Sequence, residues 1–190
     1  MSKLRIAIIG NGGICRGSHI KNYYEDERAE VVAFCDIIEE RAIELRDKYY
    51  PDAAVYTDYK ELLKDESIEA VDICTPNYLH SIIAVDALNK GINVFCEKPD
   101  AVSVEEALRM KEAAEKSGKK LMVMRNNRYL NTMRYLKKFI EEGKMGLMVT
   151  YADGSAGEPI TDTSTVIFGE GQGGLYMPAG DRVWSVTYNY

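Results

Sequence analysis

The stretch "IAIIGNGGICRGSHI", residues 6–20, decides the fold. An apolar run ends at Gly10, Gly12 follows, and the position for a third glycine holds Cys15. In a dinucleotide-binding turn the first glycine permits a tight bend, and the second lets backbone approach a pyrophosphate. The third needs only a small side chain, so that the helix packs closely on its strand. Cysteine is small enough to weaken this pattern without breaking it. Gly13 and Ile14 then open a helix whose first amides would face the phosphates.

A glycine turn is weak evidence alone, and its place after the first strand of a βαβ unit strengthens it. Asp36 supplies the second half of the signal. It ends the next apolar run, "EVVAFC" (30–35), where a carboxylate can accept hydrogen bonds from the adenosine ribose hydroxyls. The same charge repels a 2′-phosphate, so NAD is favoured over NADP. A competing reading, in which Asp36 only caps the following helix, stays open here.

Short β-prone runs alternate with helical patterns as far as residue 125. The runs are "LRIAII" (4–9), "EVVAFC" (30–35), "AAVY" (53–56), "AVDIC" (70–74), "INVFC" (92–96) and "KLMVM" (120–124). Most are continuously apolar, as in a parallel sheet covered on both faces. Asp58 can cap "YKELLKD", Ser103 with Glu106 forms a capping box, and Gly91 and Gly118 end helices. The fold class expected is α/β, a Rossmann-type doubly wound parallel sheet.

Beyond it the composition changes. All the lysines lie at or before Lys144, whereas residues 151–190 carry one basic side chain, Arg182, and are rich in glycine. The expected organisation is a Rossmann domain over 1–125, a crossover helix within 126–145, and a reduced antiparallel β region over 146–190. In its last segment Trp184, Val186, Tyr188 and Tyr190 alternate with polar residues, a period-two strand with an aromatic face. Left as a free edge, such a strand invites pairing, so self-association through 146–190 is expected.

Composition narrows the partners. A net charge of −6 argues against a nucleic-acid surface, and no apolar run is long enough to cross a membrane. No signal-peptide pattern precedes the first strand. Cys15, Cys35, Cys74 and Cys96 are scattered without metal-ligand spacing, which suits buried thiols in a cytoplasmic protein.

Chemistry is expected where strands four and five end, at "CTPNYLH" (74–80) and "CEKPD" (96–100). Ligands of an open α/β sheet lie outside the carboxyl ends of its strands. That places Thr75, Pro76, Asn77, His80, Glu97 and Lys98 beside the cofactor with the glycine turn. Pro99 biases Lys98 towards an extended backbone and can itself follow a cis bond.

The glycine turn, "FCDI", "TPNYLH" and above all "CEKP" together resemble the Gfo/Idh/MocA oxidoreductases. The resemblance runs from residue 4 to about 150, because "NNRY" (126–129) and "EEGKMGLMVTY" are similar to the family's crossover into its second domain. It implies that Gly10, Gly12 and Asp36 bind a nicotinamide cofactor. It also implies that Lys98 lies beside the nicotinamide and hydrogen-bonds the hydroxyl or carbonyl of a small polyol, sugar or related substrate. In the family a large sheet domain follows, with a helix bearing an aspartate and a histidine. Here that domain is shortened: "TVIFGEGQGGLYMP" resembles a hairpin near the end of that sheet, with the helix missing, whereas an alternative alignment of "GGLYMPAGDRVW" on the helix puts Pro178 and Arg182 at those places. The histidines present, His19 and His80, both lie in the nucleotide half. The expected function is therefore NAD(P)-dependent oxidoreduction, and the alternative is a non-catalytic nucleotide-binding sensor or regulatory protein. Reduced-cofactor turnover separates the two.

Overall fold

The computed structural model describes residues 2–142, 173–179 and 182–188, and two compact units divide at Arg125 and Asn126. In the first unit six strands form one parallel sheet: β1 (Leu4–Ile9), β2 (Ala29–Cys35), β3 (Ala54–Tyr56), β4 (Ala70–Ile73), β5 (Asn93–Cys96) and β6 (Leu121–Val123). Their order is β3-β2-β1-β4-β5-β6. The chain builds outward from β1 to one edge, then returns to lay β4 on the other side of β1. That reversal is the topological switch point, where the loops diverge and leave a crevice at the carboxyl ends.

Both faces of the sheet are covered, which is why the strands read as continuous apolar runs. Ala7, Ile9, Val71, Ile73 and Val94 pack on one face against Ile83, Ala87 and Leu88 of α4 (His80–Asn89) and Met110 of α5 (Val104–Ser117). Ile8, Val31 and Phe34 pack on the other against Ile20 of α1 (Ile20–Glu25) and Leu45 of α2 (Glu39–Tyr49). Burying each large aliphatic or aromatic side chain contributes about 1.5–3 kcal/mol, so this double core dominates the unit's stability.

Helix punctuation follows the sequence, with one change. Asp58 caps α3 (Tyr59–Leu62) by accepting from the Lys60 amide, and Gly118 ends α5 in the left-handed region at φ 68°. The Ser103 hydroxyl accepts from the Glu106 amide at 3.2 Å, but the reciprocal arm of the expected capping box is absent. The Glu106 carboxylate reaches back one residue further, accepting weakly from the Val102 amide at 3.4 Å, and accepts at 2.8 Å from the Ser81 hydroxyl of the neighbouring α4.

The second unit contains α6 (Asn131–Glu141) and an antiparallel ribbon of β7 (Gly173–Ala179) with β8 (Arg182–Tyr188). Pro178 thus lies on a strand and not on a helix, and Arg182 begins the strand that pairs with it. Residues 143–172, which include the start of the β region expected over 146–190, lie outside the described residues.

Candidate cofactor and catalytic site

Four strand ends meet at the switch point. Gly10 leaves β1 with φ +93°, and a Cβ there would sit 2.7 Å from the Cys74 carbonyl carbon and the Thr75 nitrogen. Only glycine lets the turn lie this close to the end of β4. Gly12 and Gly13 differ: a Cβ on either meets nothing within 4 Å. The first glycine is therefore spent on the tight bend, while the next two leave open space beside backbone amides.

After Gly13 the helix widens. Residues Cys15–His19 form one π-helical turn, in which the Ile20 amide donates to the Cys15 carbonyl, before α1 continues. Such turns often mark functional sites. Cys15 is fully buried in the core beneath the loop, as the third small position requires, and Ile14 is exposed at the helix start.

The buried Asp36 carboxylate ties the end of β2 to the glycine turn. Its Oδ2 accepts from the Asn11 amide at 2.7 Å and its Oδ1 from the Ile38 amide at 2.9 Å. Each oxygen keeps a lone pair for a ribose hydroxyl. Arg41 of α2 brings a guanidinium to 4.0 Å of Oδ1.

From β4, Thr75 contributes a buried hydroxyl oxygen with no hydrogen-bond partner, and the Asn11 Oδ1 beside the turn is likewise unpartnered. Orphaned buried polar atoms are rare. With the open space at Gly12, they suit a polar, phosphate-bearing cofactor. Pro76 and Asn77 are exposed on the loop that follows. His80 is not: its ring is buried, with Nδ1 2.6 Å from the Pro99 carbonyl oxygen and Nε2 2.8 Å from that of Thr75. It staples the two loops together through backbone.

Lys98 is exposed and makes no hydrogen bond or ion pair through its ammonium among the described residues; the Lys98–Pro99 bond is cis. Glu97, next to it, is buried and faces the interior. Its Oε1 lies 2.8 Å from His19 Nε2, and its Oε2 accepts from the Lys98 amide at 3.0 Å.

His19 is the residue that sequence reasoning passed over. Its side chain is 1% exposed, and its Nδ1 lies 2.7 Å from Oδ2 of the fully buried Asp72. Burial alone would lower its pKa, but the carboxylates of Asp72 and Glu97 outweigh this and lift it to about 9. The ring is thus an imidazolium held between two acids. No local spacing signals this cluster, because its two acids lie 53 and 78 residues along the chain.

His19, Asp72 and Cys74 also bring a nitrogen, an oxygen and a sulfur within 4.8 Å of one another. Tetrahedral zinc ligands at about 2.0–2.2 Å would stand roughly 3.3 Å apart. The 2.7 Å separation of His19 and Asp72 is that of a shared proton. Four thiols, Cys15, Cys35, Cys74 and Cys96, are free and buried. Burial pushes those of Cys35 and Cys96 up to about 12, which keeps them protonated.

A six-stranded parallel sheet with a glycine turn and an acid at its switch point defines a dinucleotide-binding domain. Residues 4–125 match the Gfo/Idh/MocA family, described as an oxidoreductase family with an NAD-binding Rossmann fold, and the chain belongs to it. Inositol 2-dehydrogenase of Salmonella typhimurium is 38% identical over 145 residues, 75% of this chain and 43% of that protein. D-glucoside 3-dehydrogenase of Escherichia coli is 34% identical over 145 residues, 76% and 41% respectively. The WlbA dehydrogenase from Bordetella pertussis, solved with NADH and UDP-GlcNAcA, superposes with a TM-score of 0.71 at 30% identity, over 77% of this chain and 44% of that one. The chain thus spans less than half the length of these relatives.

Proposed function

We propose that this chain carries the cofactor half of an NAD-dependent oxidoreductase acting on a hydroxyl or carbonyl group of a small polyol, sugar or related substrate. The observation that carries the reading is the convergence of an unpaired lysine, a glycine turn with open amides and a strand-end carboxylate on one switch point. The named activities of the similar proteins, polyol and sugar dehydrogenation, fit this chemistry.

In this reading the Gly12 and Gly13 amides and the helix start receive the pyrophosphate, and Asp36 receives the adenosine ribose. Thr75, Pro76 and Asn77 line the loop beside it. When bound, the nicotinamide supplies the hydride acceptor or donor. Lys98 holds the substrate oxygen by a hydrogen bond; as the neutral amine it takes the hydroxyl proton when the alcohol is oxidised, and as the ammonium it returns that proton in reduction. His80 and Glu97 act from behind, fixing the two loops.

The test is titration of the purified chain with NADH and NADPH, followed by a polyol and sugar panel with absorbance of the reduced cofactor as the readout. Lys98→Ala is expected to leave NADH affinity within about threefold and to abolish turnover. Loss of binding and turnover together would assign Lys98 to the fold. No turnover on any alcohol or carbonyl substrate would overturn the oxidoreductase reading.

A cytoplasmic setting fits the four free thiols, and among the described residues no helix is long and apolar enough to cross a membrane. Self-association through residues 146–190 belongs to the same proposal. Among the described residues β7 and β8 pair only with each other, and two-stranded ribbons are marginal in water. Light scattering on the whole chain and on a version ending at Gly146 is expected to show a dimer and a monomer; a monomeric whole chain refutes it.

A further inference from the structure

Lys98 stands next in sequence to a carboxylate, yet its ammonium is unpaired. A Glu-Lys pair on a free loop would bring its two charges together, and a carboxylate within about 4–6 Å holds a lysine in its charged form. Such a lysine is a poor proton acceptor. In this chain both oxygens of Glu97 are committed elsewhere, Oε1 to His19 and Oε2 to the Lys98 backbone amide.

We infer that His19 is the positioning residue of Lys98: its imidazole holds the Glu97 carboxylate in the interior, so that the neighbouring ammonium stays unpaired on the cofactor loop. The inference rests on the function proposed for Lys98. His19 suits the task because it belongs to the helix that starts on the glycine turn. One ring therefore joins the pyrophosphate-facing element to the loop bearing Lys98.

The charges around the pair are few. His19 is faced by Asp72 from β4, Cys74 just beyond it, Glu97 from the end of β5 and the Phe95 ring at 5.9 Å. Cys15 lies on its own helix, and burial together with the nearby Asp72 charge pushes the Tyr23 phenol up. On the loop side Asp100 is engaged by Arg125 at 3.1 Å. Glu97 is therefore the carboxylate that release of His19 would hand to Lys98.

The experiment uses the 190-residue chain and reads the ionisation of every lysine at once. Competitive acetylation across pH, followed by peptide mass spectrometry, gives a midpoint for each ε-amine. In His19→Ala the Lys98 midpoint is expected to rise by about one pH unit while the other lysines stay in place. Adding Glu97→Gln to it should return Lys98 to the parent value, a reversal that general loosening of the fold would not produce. Glu97→Gln alone, nearly isosteric, keeps the test open if His19→Ala does not fold, and its Lys98 midpoint should lie within about 0.3 of the parent. A fall of one unit in Glu97→Gln alone would show the carboxylate already acting on Lys98 and overturn the inference. So would an unmoved Lys98 in folded His19→Ala. NADH titration of the same samples separates the two ideas: a parent that does not bind NADH refutes the proposed function, whatever the midpoints show.

Discussion

Alanine at Gly10 and alanine at Gly12 add the same methyl group two residues apart, with opposite consequences. At Gly10 the new Cβ meets backbone of Cys74 and Thr75 at 2.7 Å, and φ is +93°. A non-glycine residue held at such a φ costs about 1–2 kcal/mol. The overlap is with main chain just beyond the end of β4, which has no rotamer to yield, so a further overpacking cost of about 1–3 kcal/mol is expected. The sum, about 2–5 kcal/mol, is a large share of the roughly 5–15 kcal/mol that a domain has in hand. At about 2–4 °C per kcal/mol the melting temperature should fall by roughly 4–20 °C. At Gly12 nothing lies within 4 Å, so alanine should change stability by less than about 1 kcal/mol. There the methyl occupies the space assigned to the pyrophosphate, and NADH affinity is expected to drop at least tenfold. Urea unfolding and NADH titration on the two variants form a two-by-two comparison. Equal stability loss at both sites would refute the division of labour between the glycines, as would undiminished NADH binding by Gly12→Ala.

Two further outcomes follow from the buried charges. Asp36→Ser should narrow the preference for NADH over NADPH, because the carboxylate is removed while Arg41 remains nearby to meet a 2′-phosphate; equal affinities in the parent would contradict the placement of the ribose. The His19 pKa stands at about 9 against 6.5 for an ordinary histidine, so the folded state binds the proton more tightly. Its contribution, of order 3 kcal/mol, is fully present below pH 6.5 and is lost as pH rises through 9. Urea unfolding at pH 6 and pH 9.5 should show the parent losing more stability than His19→Gln, and parallel losses would remove His19 from the account.

The sheet was legible because its strands are buried on both faces. "LRIAII" carries no alternation to mistake for a surface strand, and it forms β1 at the residues expected. Gly10 and Asp36 were legible because they act through backbone geometry and strand register, which spacing encodes. His19 was not, because its meaning depends on Asp72 and Glu97, 53 and 78 residues away, and no local pattern announces such a pairing. Glu97 and His80 were placed at the right strand ends, but the direction of their side chains is a matter of packing. The Glu106 carboxylate shows the same limit at smaller scale. Its role as a capping partner is written locally, and the Ser81 hydroxyl that claims it comes from another helix.

The wide turn at Cys15–His19 has a mechanical consequence. An α-helix has a single phase, so the residues that meet a ligand at its start fix which residues meet the core one turn later. An i→i+5 turn takes up one extra residue and separates those two requirements. Gly12 and Gly13 can keep their amides open at the crevice while Cys15, His19 and Ile20 are all turned inward. Deleting one residue between Cys15 and His19 would restore a regular helix. The glycine end and Ile20 would keep nearly their present phase, because the residue removed is the one the wide turn takes up, and the spacing of Cys15 and His19 would fall from four residues to three.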